Sequence, residues 1–396
     1  MRLFSALCGL ASLGAFYALC QRLDLGRSLL PISLACLSSF WIHLSQDGRT
    51  YSLLLLIVLL ATCQLLALER RWSMRRGLAY AALSAAGLYT HNFYAFFLAA
   101  NMAYICFEHR RMPRLLRPWG VLWLLIASAY LPWLSSLSSQ VRNWAAISAL
   151  QQPFDLGQLA YLFGNMAADT GFLGFIHQGW TKALGAAVAT SLALSAWRRP
   201  PEPGQRRAWS LCCFHLLLPL ALAWSLETAL GQPLTQTRYF TSISPFLYIM
   251  AAMAIDGAGR WAGVARALAI AVVLAGAAAY AASGAYLDPR LARLSAAIDA
   301  SMDRRLPLVH LDPYYYTPMR YYYLAHRPHF LTPREDKKLN WAAVPGYPAV
   351  LSGPRLDSLG PCLMIDPGRE FFDSRYGSAT GQTISRVLFP SSQKTR

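Results

Sequence analysis

Two arginines lie beside tyrosines at the ends of long apolar runs, where a charged side chain is unusual. Arg49 belongs to the segment Ser45–Tyr51, and Arg238 belongs to Thr237–Phe240, seven residues before Pro245. The guanidinium group offers a planar fork of N–H donors that matches a phosphate. We therefore predict that both arginines contact an anionic lipid headgroup. The alternatives are a salt-bridged turn at Arg49 and simple interfacial anchoring at Arg238.

Other polar side chains accompany these arginines. Asp47 precedes Arg49 by two residues, and we expect it to act as a supporting acid or to hold a divalent metal ion. Tyr51 and Tyr239 are candidate substrate-binding residues. His91, in the segment Thr90–Phe93, is a candidate hydrogen-bond donor or proton carrier. A histidine hydrogen-bonded between two helices is the structural alternative.

Several functional classes lack their sequence signatures. The chain contains no GxSxG, GxGxxG or HExxH motif and no P-loop. Six tyrosines within residues 312–323 form a further aromatic surface, which could stack on sugars or pack against a membrane. The net charge of +17 does not indicate nucleic acid, because most basic residues lie between apolar runs.

The elements that must position these residues are membrane helices. Only 14% of the residues are charged, and 55% are hydrophobic. Charge-free runs of about 20 residues recur, and each is long enough to cross the hydrocarbon core as a helix. These runs are Leu3–Gln21, Ser28–Gln46, Thr50–Leu68, Trp119–Val141, Ala208–Leu226, Tyr239–Ile255 and Ala267–Leu287, and Gly179–Trp197 is similar but contains Lys182.

Basic residues give the topology. Of the 21 Lys and Arg residues before residue 288, 16 lie in segments 22–27, 69–76, 108–118, 198–207 and 256–266, which we place in the cytoplasm. This assignment requires residues 77–107 to form two short helices that turn near Thr90–Asn92. We therefore predict an all-α polytopic membrane protein of about ten transmembrane helices, with the candidate residues on its outer face.

Two outer regions follow from this topology. Residues 1–287 form the predicted transmembrane helical domain, in which loop 140–178 is expected to hold an interfacial amphipathic helix. Residues 288–396 form a predicted small extracytoplasmic α/β domain. Its expected elements are strands at Pro307–Leu311, Ala349–Leu351, Cys362–Ile365 and Arg386–Phe389 and a helix at Thr317–His326. The predicted location is the plasma (inner) membrane, with the C-terminal domain in the periplasm.

The order of these motifs resembles the GT-C class of integral membrane glycosyltransferases, which includes the dolichyl-phosphate-mannose protein mannosyltransferases and the bacterial aminoarabinose transferase. The matching segments are Arg2–Leu7, Ser45–Tyr51 with Asp47 in place of Glu, Thr90–Phe93, Arg238 and Tyr239 with Pro245, and residues 312–322. The resemblance covers nearly the whole chain, and each motif alone is weak.

This resemblance implies a helical bundle that moves a sugar from a polyprenyl-phosphate donor to a lipid, glycan or protein acceptor on the outer face. It implies phosphate contacts by Arg49 and Arg238, with Tyr239 and His91 as second choices. The family's principal catalytic acid lies in a loop after the first helix, whereas this sequence resembles the family from the second helix onward. The predicted topology also places residue 1 on the outer side, so we expect an upstream helix and loop. The principal acid would lie in that loop, and Asp47 would be a second acidic site.

Two alternative functions remain open on the sequence. The first is an inactive or truncated paralogue that binds lipid headgroups. The second is another cell-envelope enzyme, such as a polysaccharide polymerase or ligase, for which a lipid diphosphate is the more usual donor. The sugar, the acceptor, the oligomeric state and any metal requirement are not specified by the sequence.

Overall fold

The structure is a computed structural model of the full chain. It describes residues 2–25, 28–47, 49–112, 114, 116–138, 155–168, 178–198, 205–231, 237–283, 308–310, 329–331 and 363–365. The predicted helix Thr317–His326, the tyrosine-rich segment 312–323 and the predicted strands Ala349–Leu351 and Arg386–Phe389 lie outside these residues. The chain divides into two compact units, one comprising Met1–Phe172 with His177–Ala282 and the other Leu173–Ile176 with Ser283–Arg396.

Helices make up the described part of the first unit. They are α1 (Arg2–Arg22), α2 (Leu30–Leu37), α3 (Ser39–Gln46), α4 (Tyr51–Arg70), α5 (Met74–Thr90), α6 (Tyr94–Glu108), α7 (Leu116–Tyr130), α8 (Leu156–Ala168), α9 (Gln178–Arg198), α10 (Arg206–Leu230), α11 (Ser244–Asp256) and α12 (Ala262–Ser283). Short 3₁₀ segments at Leu131–Trp133, Thr237–Ile243 and Gly259–Trp261 adjoin α7, α11 and α12.

Six helical segments among the described residues are long and apolar enough to cross a membrane. They are Arg2–Arg22, Tyr51–Arg70, Leu116–Ser138, Arg206–Leu230, Thr237–Asp256 and Gly259–Ala282. The apolar helix α6 is shorter. The protein is therefore a multi-pass membrane protein. Helices also occur at the other predicted crossings, but the total of ten crossings stays a prediction.

Helix α4 is the central element of the first unit. Its sequence is almost continuously apolar between Tyr51 and Leu68, and most of it is buried. It packs against α1, α5 and the 3₁₀ segment Thr237–Ile243. By contrast, most of α7 and α12 is exposed. These exposed apolar faces suit contact with lipid, because hydrocarbon chains solvate apolar side chains as well as a protein core does.

The second predicted crossing, Ser28–Gln46, is divided at Ser38. Ser38 has an extended backbone and caps α3 by accepting a hydrogen bond from the Trp41 backbone N–H at 3.3 Å. The Tyr248 hydroxyl donates its one proton to the Met166 carbonyl at 2.7 Å. Ser38 Oγ, at 2.6 Å, therefore donates to the Tyr248 hydroxyl. A buried hydroxyl network thus holds the break between α2 and α3.

Pro245 does not kink a helix beside Arg238, although the apolar run Tyr239–Ile255 places it inside a predicted crossing. Pro245 occupies the first turn of α11, where its missing N–H removes no helical hydrogen bond. Arg238 lies in the preceding 3₁₀ segment, in which Phe240 departs from helical backbone angles. The chain therefore enters α11 through an irregular turn, and this turn carries both Arg238 and Tyr239.

A helix also forms in the predicted outer loop 140–178. It is α8, which packs against α3 and α9. Its residues Leu162, Phe163 and Met166 are buried. Gly164 and Gly185 permit the close approach of α8 and α9, since a Cβ at Gly185 would lie 1.7 Å from the Ala160 carbonyl oxygen.

The described part of the second unit contains three short strands. They are β1 (Leu308–His310), β2 (His329–Leu331) and β3 (Leu363–Ile365), which form a parallel sheet in the order β2-β1-β3. β1 and β3 coincide with predicted strands, whereas β2 was not predicted. The complete α/β domain stays a prediction.

Candidate functional site

The candidate arginines lie near one another at the start of α4. Arg238 Cζ is 6.0 Å from the ring centroid of Tyr51 and 5.8 Å from that of Tyr239. Arg49 precedes α4 by two residues and interacts with the Tyr51 side chain. Both guanidinium groups act electrostatically on both tyrosines. The fold therefore brings two cations from distant parts of the sequence to one place.

Aromatic rings form a wall beside the arginines. The His91 ring lies 5.6 Å from that of Tyr51 and 5.2 Å from that of Tyr239. Phe93 continues the wall, with its ring 5.0 Å from Tyr239 and 5.8 Å from Phe240. Tilted and edge-to-face pairs at these separations are favourable for aromatic side chains. The wall joins the α5–α6 turn to the 3₁₀ segment before α11.

Close packing of α5 against α6 sets the position of His91. A Cβ at Gly87 would lie 2.4 Å from the Tyr94 ring, so any larger residue would have to displace that ring. The His91 backbone N–H donates to the Gly87 carbonyl at 3.0 Å. Tyr130 of α7 donates to the Asn92 side chain at 3.2 Å, and Tyr89 of α5 donates to the Ala129 carbonyl of α7 at 2.9 Å. The turn is therefore fixed from two sides.

His91 is neutral in this environment. Its Nδ1 accepts the Phe93 backbone N–H at 3.2 Å, so a neutral ring carries its proton on Nε2. Burial lowers the pKa of His91, and the Arg238 guanidinium lowers it further, to about 4. His91 can thus donate a hydrogen bond from Nε2, but it does not carry charge at neutral pH. Thr90, the neighbouring residue, donates its hydroxyl back to the Ala86 carbonyl at 2.7 Å.

Asp47 is the carboxylate of this cluster. Its Oδ1 lies 3.8 Å from Arg49 Nε, which is an ion pair at longer than hydrogen-bond distance. The Arg49 side chain is 56% exposed, so water screens this pair. With His91 neutral, Asp47, Arg49 and Arg238 together carry a net charge of +1. The cluster therefore favours an anion.

Arg238 has a buried donor without a hydrogen-bond partner. Within the described chain, no group accepts a hydrogen bond from its Nε, and water does not reach that atom. A buried N–H that forms no hydrogen bond is destabilising by about 1–3 kcal/mol, and more for a charged group. An anionic oxygen could accept this hydrogen bond only after the side chains that enclose the atom have moved. Arg238 thus forms no ion pair among the described residues.

Three site-lining residues were missed by the sequence analysis. Tyr280 of α12 donates a hydrogen bond to Gln46 Oε1 at 2.7 Å, and its ring lies 6.0 Å from that of His43. His43 also interacts electrostatically with Asp47, Arg49 and Arg238. The spacing of 43, 46 and 47 places the α3 residues on one helix face, which is a signal that the sequence contains. The approach of Tyr280 has no comparable signal.

A metal site is not formed by the described residues, in which no group of three or more His, Cys, Asp or Glu side chains could hold an ion. A divalent metal ion at Asp47 therefore stays a prediction.

Comparisons with known proteins give one structural similarity. No family model matches the chain, and no curated protein matches it. Among solved structures, ArnT from Cupriavidus metallidurans in the apo state has a TM-score of 0.49 and 13% sequence identity over 87% of this chain and 73% of that chain. A similarity at this level does not bear on the activity.

Proposed function

We propose that the protein is a membrane glycosyltransferase that moves a sugar from a polyprenyl-phosphate donor to an acceptor on the outer face of the membrane. The observation that carries the proposal is the pairing of Arg49 with Arg238 beside one carboxylate, with Arg238 Nε buried and lacking an acceptor in the described chain. The order of the sequence motifs, which resembles that of the GT-C class, supports the same class of reaction.

The chemistry follows from the charge that develops during transfer. When the bond between the sugar and its phosphate breaks, negative charge accumulates on the phosphate oxygens. Guanidinium groups positioned in advance stabilise that charge and so lower the barrier. Arg238 is held between Tyr51 and Tyr239, whereas Arg49 is exposed and able to adjust. The two arginines are therefore assigned to the phosphate.

The remaining site residues have supporting roles in this proposal. Neutral His91 offers its Nε2–H as a hydrogen-bond donor beside Arg238. Asp47 is a supporting acidic residue whose carboxylate balances the charge of one arginine. The rings of Tyr51 and Tyr239 lie 6.0 and 5.8 Å from Arg238 Cζ, within the range of a cation–π interaction. The proposed location is the inner membrane, with the site at its outer side.

The test is a transfer assay on full-length protein in proteoliposomes with a radiolabelled polyprenyl-phosphate sugar and a membrane extract as the source of acceptor. Arg49→Ala and Arg238→Ala should each abolish transfer while the protein still inserts. Arg75→Ala is the matched control, because Arg75 is exposed at the opposite end of α5 from His91. It should transfer at the wild-type rate. Unchanged transfer in both site variants would contradict the phosphate assignment.

Two other outcomes separate the alternative functions. Consumption of a lipid diphosphate sugar, but not of the monophosphate, would indicate a polymerase or ligase. Absence of transfer from every donor, with binding of polyprenyl phosphate retained, would indicate a lipid-headgroup-binding protein. Each outcome is measured on the same wild-type preparation. The amount of protein in the membrane is quantified, so that a failed insertion is not mistaken for a lack of activity.

A further inference from the structure

A polar face on α3 adjoins the two arginines. His43, Gln46 and Asp47 follow the i, i+3, i+4 pattern, so their side chains share one side of the last turn of the helix. Asp47 is the C-cap residue, and its backbone N–H donates to the His43 carbonyl at 2.8 Å. This bond continues the helical geometry to Asp47. A ring nitrogen, an amide and a carboxylate therefore lie side by side.

The orientation of the Gln46 amide is set by α12. Tyr280 is buried, with 3% of its surface exposed, and its hydroxyl donates to Gln46 Oε1 at 2.7 Å. Since the amide oxygen accepts this bond, the amide nitrogen is directed to the other side, where it has two N–H donors. Gln46 itself is exposed. A buried residue thus orients an exposed donor.

The aromatic ring of Tyr280 also supports His43. Their rings meet edge-to-face with centroids 6.0 Å apart. His43 interacts electrostatically with Asp47 and with both arginines, so this face is close to the proposed phosphate position. The face combines an acceptor-only carboxylate, a donating amide and an imidazole that can do either. Such a set suits neighbouring hydroxyl groups, each of which both donates and accepts.

We infer that His43, Gln46, Asp47 and Tyr280 form a hydroxyl-binding subsite for the sugar ring carried by the lipid phosphate. This inference rests on the proposed function, because Arg49 and Arg238 locate the phosphate from which the sugar extends. The subsite takes a polyhydroxylated ring, with Asp47 and Gln46 on adjacent hydroxyls and His43 beside them. Tyr280 is a positioning residue that acts through Gln46 and His43.

Binding measurements can separate the sugar from the phosphate. The full chain in lipid nanodiscs is titrated with bare polyprenyl phosphate and with the same lipid phosphate carrying glucose or mannose. At least one sugar should tighten binding by tenfold or more, since a hydrogen bond to a hydroxyl contributes about threefold to tenfold and a charged acceptor contributes more. The ratio of the two dissociation constants is the quantity of interest.

The variants distinguish a sugar subsite from a structural contact. His43→Ala and Gln46→Ala should reduce this ratio toward one and change the affinity for bare polyprenyl phosphate by less than about twofold. Tyr280→Phe keeps the ring but removes the hydroxyl that orients Gln46, and it should lower the ratio by about threefold. His109→Ala, at the opposite end of α6 from His91, is the control and should leave both affinities unchanged.

The outcomes separate the two proposals. An unchanged ratio in both His43→Ala and Gln46→Ala, or no sugar preference in the wild type, would overturn the subsite while leaving the phosphate assignment intact. A wild type that binds the sugar-bearing lipid in a His43-dependent way, but not bare polyprenyl phosphate, would support the subsite and contradict the phosphate assignment. Absence of binding to any of these lipids would contradict both.

Discussion

The arginines near the two ends of α4 have opposite environments. At its C-terminal end, Arg207 lies 2.7 Å from Glu69, and Tyr104 donates to the same carboxylate at 3.2 Å. At its N-terminal end, Arg238 lies near the rings of Tyr51 and Tyr239, and its Nε has no acceptor in the described chain. Arg207 is thus ion-paired, whereas Arg238 forms no ion pair among the described residues.

This difference shows what holds each end together. Glu69 is only 7% exposed, so its charge requires the guanidinium of Arg207. The other end depends on packing instead, through the close contact of Gly87 with Tyr94 and the ring contacts of His91. An ion pair stabilises the structure, but it occupies the hydrogen-bonding groups of both partners. The proposed anion site would therefore have to be held by contacts other than those of its own cations.

The largest expected effect is on stability at the C-terminal end. Arg207→Ala leaves the buried Glu69 carboxylate unpaired, and it should lower the free energy of unfolding by about 3 kcal/mol. Arg238→Ala should lower it much less, because that guanidinium forms no internal ion pair among the described residues. Thermal unfolding in one detergent compares the two variants. Equal losses of stability would remove the distinction between the ends.

A smaller effect tests whether packing holds the N-terminal end. Gly87→Ala forces the Tyr94 ring to move and should destabilise the protein by about 2 kcal/mol. It should also weaken polyprenyl-phosphate binding, because His91 follows the same helix. Gly120→Ala in α7 is the control, since its Cβ meets nothing within 4 Å. If both variants unfold at the wild-type temperature, packing against Tyr94 does not position the turn.

The geometry of the Arg238 donor group can be tested with charge held constant. Arg238→Lys keeps a cation but replaces the planar fork with a single ammonium group, so polyprenyl-phosphate affinity should fall by about tenfold. The equivalent change at the exposed Arg75 should have no effect. Titration in nanodiscs provides both dissociation constants. Full affinity in Arg238→Lys would show that charge alone is sufficient.

The smallest expected effect is the pH dependence from His91. Its pKa is about 4 in the folded protein and about 6.5 when unfolded, so the unfolded state binds more protons in this interval. The contribution of His91 to the free energy of unfolding is fully present above pH 6.5 and decreases as the pH falls toward 4. Between pH 7 and 5.5 the decrease is about 1 kcal/mol. His91→Phe keeps a ring and should reduce this slope. The same slope in the variant would assign it to other groups.

Part of the candidate site could be predicted from sequence. Arg49, His91 and Arg238 each follow or precede an apolar run, and the alternation of basic loops places those run ends on one side. Their proximity then follows from topology. The sequence did not predict the Arg207–Glu69 pair or the Tyr280–Gln46 hydrogen bond. Such pairs join residues 138 and 234 positions apart, and no local pattern encodes them.

The errors within single elements have local causes. Ser28–Gln46 is continuously apolar or neutral, so it resembled one helix, although Ser38 is a good N-cap residue. Pro245 was assigned to a helix interior because the apolar run begins before it, but the helix begins at Ser244. Hydrophobicity thus indicates that a segment is buried in the membrane. It does not show where the backbone hydrogen bonds stop.

The break at Ser38 has a consequence for biogenesis. α2 and α3 have eight residues each, and a helix of that length extends only about 12 Å, well short of the hydrocarbon thickness. The polar groups at the break are bonded to Tyr248 and Ser244, which the ribosome adds some 200 residues later. Until α11 is synthesised, these groups lack their final partners. The final hydrogen bonds of this early segment can therefore form only after α11 has been translated.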